Sequence, residues 1–158
     1  MTRYVVVLVA VIQAACWMAE IKAEHQRRTA REHDLVQRGM SLEQVLRGVV
    51  FEGKEDNGTT LRACGPATEA EELSLHRQTT RLGQGRYSLL VLPPNYREYP
   101  SPIRYESQEA LLKAAMDRAR AYGPCVQLAL GSGEWHFTVI VDAEQGVQHV
   151  TTPLYTDD

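Results

Sequence analysis

Cys125–Thr152, CVQLALGSGEWHFTVIVDAEQGVQHVTT, reads as three strands joined by two short turns, GSGE and AEQG. Apolar residues alternate along it: Val126, Leu128 and Leu130 in the first strand, then Trp135, Phe137, Val139 and Val141 in the second. Successive side chains of a strand point to opposite faces, so these residues share the buried side of an antiparallel meander. Asp142 can accept turn amides and Gly146 can take a left-handed conformation, which predicts a four-residue connection with Asp142 opposite Val147. Val141 then faces Gln148, Val139 faces Val150 and Phe137 faces Thr152, while Leu130 pairs with Trp135 across the first turn.

The other face of this meander collects Gln127, Thr138 and Thr151 in one row, flanked by His136 and His149. His-x-Thr occurs twice, as His136-Phe137-Thr138 and His149-Val150-Thr151. The register sets His149 against Ile140, four residues from His136, so the imidazoles stand about 13 Å apart and share neither a metal nor a phosphate. The paired motifs resemble those of the two-histidine phosphoesterases. That resemblance implies His136 and His149 as general acid and base, and both threonines as phosphate ligands. In that family the motifs lie on strands from separate halves of the fold, whereas here they follow one another in a single hairpin. Threonine and aromatic residues favour strands by propensity, so the competing reading is a half-polar sheet face that meets water, a helix or a partner.

Upstream, Ser107 caps a helix with Leu112, Ala115, Met116, Ala119 and Tyr122 on one face, ended by Gly123 and Pro124. Before it, NYREYPSPIRYES is an irregular loop whose Tyr96, Tyr99 and Tyr105, with two arginines, have the composition of an interface. RYSLLVLPP is a strand ended by prolines, and Thr68–Glu71 has capping-box spacing for a shallow helix that stops by Gly83. Ser41–Gln44 has the same spacing for a short helix through Arg47; GVVFEG, KEDNG and TTLRAC then read as strand, turn and strand. The expected body is one α+β domain over 41–158, with about six strands and helices packed on one side.

Residues 4–19 carry no charge, and only Gln13 interrupts their apolar character. That length falls between a secretory signal core of about 7 to 15 residues and a membrane helix of about 20, and it predicts an anchor over 1–23 in contact with lipid, Trp17 lying at interfacial depth. Cleavage after Ala14 or Ala23, acylation of Cys16 in the box QAAC, or a hydrophobic first strand or helix of a cytosolic core are the alternatives. Charged, proline-free residues 24–40 extend the helix as a polar stalk ending at Gly39. Lys22, Arg27, Arg28 and Arg31 after the segment favour a cytoplasmic body, but Cys64 and Cys125 form an even pair that suits one disulfide in an oxidising compartment. The balance favours a periplasmic, extracytoplasmic body.

Seventeen basic against twenty acidic residues, with no basic run, exclude nucleic acid as a partner. His25, His33 and His76 lack metal-ligand spacing, GSG lacks that of a nucleophile elbow, and no cofactor or metal is expected. The expected function is therefore a non-enzymatic, membrane-tethered binding or accessory protein with an unidentified protein partner. The alternatives are a small phosphodiesterase-like hydrolase using His136 and His149, and a structural subunit of a membrane complex. Intact mass from the native membrane is expected to give an uncleaved chain in which Cys64 and Cys125 are alkylated only after reduction; loss of the first fifteen residues with added acyl mass would reveal a lipoprotein.

Overall fold

Neither proline nor glycine interrupts the first 35 residues, and Thr2–Leu35 forms one continuous helix, α1. In the computed structural model the residues described are 2–51, 57–65, 70–79 and 85–156, with the side chains of 2–12, 57 and 79 outside that description. Glu24 pairs with Arg27 and Arg31 at 2.8 and 3.2 Å, which holds its carboxyl below the usual range, and Arg28 pairs with Glu32 at 3.1 Å one turn on. Among the described residues no helix is long and apolar enough to cross a membrane. Residues 4–12, much of the expected anchor, lie outside those with described side chains.

The expected free stalk is instead docked. Thr29 is fully buried, with Glu32 and Val36 nearly so, and the carboxyl half of α1 lies against the sheet. The reason is polar satisfaction. The Thr29 hydroxyl accepts the Ser132 amide at 3.1 Å and donates to the Trp135 carbonyl at 3.4 Å, meeting two backbone groups at a strand turn. One turn either side, His25 Nδ1 meets the Ser132 hydroxyl at 3.1 Å, and the His33 ring meets Phe137 edge-on at 5.3 Å. Residues His25, Thr29, His33 and Val36 follow the spacing of one helix face, so a face polar in composition is nonetheless an inner face.

Ser41 caps α2, Leu42–Val45, with both bonds of a capping box. The chain then continues as a π-helical turn, Leu46–Phe51, where a strand was expected. Val49, Val50 and Phe51 are all buried, and three consecutive buried side chains cannot serve a sheet covered on one face only. Arg77 donates to the Phe51 carbonyl at 2.6 Å and closes the turn.

Among the described residues eight strands follow: β1 Asn57–Ala63, β2 Glu72–Thr79, β3 Gly85–Leu92, β4 Ile103–Tyr105, β5 Cys125–Ser132, β6 Trp135–Asp142, β7 Gly146–Val150 and β8 Leu154–Tyr155. α3, Gln108–Ala119, lies between β4 and β5 and is capped by Ser107 as expected. The strands make one antiparallel sheet in the order β4-β3-β2-β1-β5-β6-β7, with β8 pairing the free end of β6. The fold is α+β. The helix expected after Thr68 is corrected to β2: Leu73 and Leu75 alternate with Ser74 and His76, a period of two that outweighs a four-residue cap pattern.

All helical elements cover one face. There, Leu61, Leu73, Leu75, Leu89, Leu128, Phe137 and Val139 meet Leu46, Phe51, Leu111 and Ala115 in one core, as the alternation in the meander predicts. Cys64 and Cys125 are joined in a disulfide that clamps β1 to β5, and the Cys64 amide also bonds the Cys125 carbonyl at 3.1 Å. Residues 39–40 lie along β7, with Gly39 donating to the Val147 carbonyl and Val147 donating to Met40. Gly146 must be glycine here, since its φ is +74° and a Cβ would stand 2.6 Å from the Met40 oxygen. Thr29→Val should cost roughly 1–3 kcal/mol in denaturant unfolding by stranding the Ser132 amide; an unchanged midpoint would show that α1 is not held through this residue.

Candidate functional site

One-sided coverage leaves the other sheet face open, and the strand registers order it into rows. Arg104, Ser88, His76 and Gly58 form one row across β4, β3, β2 and β1. Leu90, Ser74, Thr60, Ala129 and Thr138 form the next. Leu92, Glu72, Arg62, Gln127, Ile140 and His149 form the third.

Gln127, expected beside Thr138 and Thr151, belongs to the third row and accepts from Arg62 at 3.4 Å. The cause is a tighter turn: Ser132, not Leu130, pairs with Trp135, so β5 slides two residues along β6 while keeping its face. Ile140 faces His149 and Val139 faces Val150 as expected, but an irregularity between Ile140 and Val141 places Gly146 opposite Asp142 and Val147 opposite Val141. His136 pairs across to Gly131 and Leu154, with Nδ1 3.5 Å from the Thr156 hydroxyl. The two histidines therefore stand in different rows, separated by four residues along β6, about 13 Å. Thr138 and Thr151 do meet, through backbone: the Thr138 amide donates to the Thr151 hydroxyl at 2.8 Å, and the Thr151 amide to the Thr138 carbonyl at 2.9 Å. These contacts tie strands together.

Of the three tyrosines expected in one loop, Tyr96 and Tyr99 stack edge-on at 5.1 Å with their hydroxyls 3.3 Å apart, and that bond raises the Tyr96 phenol above its ordinary range. Tyr99 is 75% exposed. Tyr105 is separate from them, half-buried on β4 and packed against the core.

A second region went unread in the sequence. His76, Gln78, Arg86, Ser88, Leu90, Pro102, Arg104 and Glu106 line a groove of about 560 Å³ on the open face of β2, β3 and β4. His76 Nε2 lies 2.9 Å from the Ser74 hydroxyl, and burial lowers the imidazole pKa. Its ring lies over Gly58, where a Cβ would stand 3.0 Å from Nδ1. No family model matches this chain, and no curated protein or solved structure matches it either. The chemistry of the site has to be argued from its own groups.

A serine and a histidine at this distance suggest a nucleophile and its base, but the ring's other nitrogen faces a glycine, not a carboxylate. Among the described residues no group of three or more His, Cys, Asp or Glu side chains is placed to hold a metal ion. What the open face offers is hydrogen-bond donors and guanidinium charge. The signal for the groove was present in the alternation of Arg86, Ser88 and Leu90, but reading 68–83 as helix removed the strand that forms its other wall.

His76 should titrate below its ordinary value of 6.5 in an NMR pH series. The unfolded chain then takes up that proton first as pH falls, so stability should decline below about pH 6.5, and more steeply in the wild type than in His76→Gln. Equal slopes would show the imidazole to be solvated.

Proposed function

We propose that the chain is a membrane-attached binding or accessory protein, without catalysis of its own, that holds its open sheet face towards a protein partner. The observation that carries this reading is the continuity of α1. One helix joins the uncharged stretch 4–19 to a half that is fastened to the sheet, passing the β5–β6 turn on the way. Trp17 and Met18 are 65% and 58% exposed there, beside an apolar cleft of about 270 Å³ formed with Ile21 and Trp135. Lys22 bonds the Tyr155 hydroxyl at 2.7 Å and lies over its ring at 5.3 Å, while Tyr155 packs on Trp135 at 5.2 Å. Tryptophan, tyrosine and lysine at one level suit a headgroup layer, where a ring can be half apolar and half wet.

The disulfide supports an oxidising, extracytoplasmic location for the body, against the count of basic residues that follows the helix. A phosphodiesterase using His136 and His149 would need both in one cleft, which separate rows do not supply. The expected result is that the full chain stays in the membrane pellet after carbonate washing, whereas a chain lacking residues 1–20 folds and partitions into the supernatant. Photo-crosslinkers at Gln127 or His149 should capture a protein and one at Lys113 should not. A washable full chain would refute the tether; crosslinks from Lys113 alone would favour the role of a packed structural subunit.

A further inference from the structure

Arg86 and Arg104 are exposed on adjacent strands of the groove, and among the described residues neither side chain has a hydrogen bond or an ion pair. Ser88 lies between them, opposite Arg104 and two residues from Arg86 on the same face of β3. This is the diagonal relation, which sets the two backbones about 7–8 Å apart and leaves two like charges facing one space. Arg27 pairs with Glu24, Arg47 with Glu43 and Glu109, and Arg120 with Asp117, whereas Arg86 and Arg104 are left to line one groove together. Two guanidiniums and a hydroxyl lining one concave site suit an anion from outside.

We propose that the groove between β2, β3 and β4 binds a phosphate ester. A planar carboxylate presents two oxygens along one edge, whereas a phosphate monoester presents three around a tetrahedron and carries nearly two charges, enough for both forks and the Ser88 hydroxyl at once. Glu106 also lines the groove and offsets one of the two arginine charges, which leaves a single net positive charge among Arg86, Arg104 and Glu106. At about 560 Å³ the groove is far larger than a phosphate and has the size of a small-molecule site. Leu90 and Pro102 give the remaining wall an apolar surface for the group that the phosphate esterifies. His76 completes the floor as a neutral ring, because burial lowers its pKa. Such a phosphate could belong to a soluble ester or to a lipid headgroup, and the sheet end that carries Arg86 is also the end past which α1 runs.

The probe is phenyl phosphate, titrated calorimetrically into the full chain in mild detergent, with inorganic phosphate and phenol as its two halves. The expected result is saturable one-to-one binding of phenyl phosphate, tighter than either half, reduced about tenfold by Arg86→Gln and again by Arg104→Gln, with the near-ultraviolet circular dichroism unchanged. Both residues are exposed, and Ser88→Ala, expected to weaken binding less, supplies a second variant. Displacement of the probe by phosphatidic acid vesicles but not by phosphatidylcholine vesicles would identify a headgroup; no displacement by either would identify a soluble ester. Absence of phenyl phosphate binding by the folded chain, or affinity unchanged in the double arginine variant, would overturn the proposal. Neither result depends on whether α1 enters a membrane.

Discussion

The arrangement of this protein depends on how one threonine is satisfied. Thr29 is buried in the join between α1 and the β5–β6 turn, where its hydroxyl accepts from the Ser132 amide and donates to the Trp135 carbonyl. A buried backbone group without a partner is costly, so the helix can leave only by exposing or stranding these groups. Gly133 belongs to the same join, because a Cβ at its positive φ of +61° would run into the His25 ring. With α1 fixed along β5 and β6, and α3 across β1 to β4, the described helices cover one sheet face and leave the other uncovered by helix.

Topology gives the two middle strands a particular burden. β1 and β5 are neighbours in space, but β2, β3, β4 and α3 intervene in sequence, so their pairing closes a long loop. The disulfide spans a separation of 61 residues and in a chain-entropy account removes about 4 kcal/mol of freedom from the unfolded chain. It acts where the sheet is least supported by local connections. The core leucines of β1, β2, β3 and β5 lie in register on both sides of that clamp.

What was legible in the sequence was periodic. Val126, Leu128, Phe137, Val139 and Val141 announce their face by alternation, and a two-residue error in the β5–β6 register left that face intact while moving Gln127 to another row. Ser41 and Ser107 cap helices where their spacing says they should, but Thr68 has the same spacing ahead of a strand, so a cap pattern without an apolar helix face carries little information. The docking face of α1 was illegible because His25, Thr29 and His33 are polar; what they meet is the Ser132 amide and hydroxyl and the Phe137 ring, more than a hundred residues away. The groove was hidden for a related reason. Arg86, Arg104 and His76 become neighbours only through pairings of β2, β3 and β4, which local sequence does not specify.

The alignment of α1 with β6 also determines how the body would carry a mechanical load. Tension on the amino-terminal end of α1 enters the sheet at β5 and β6, beside the β7 edge, and passes from Thr29 at one end of β6 towards Gly39 and Val147 at the other. Hydrogen bonds between strands pulled lengthwise bear the load together, unlike those of strands peeled apart, which break singly. The disulfide then shares the pull between β5 and β1, so the groove at the far edge of the sheet lies outside the stressed path.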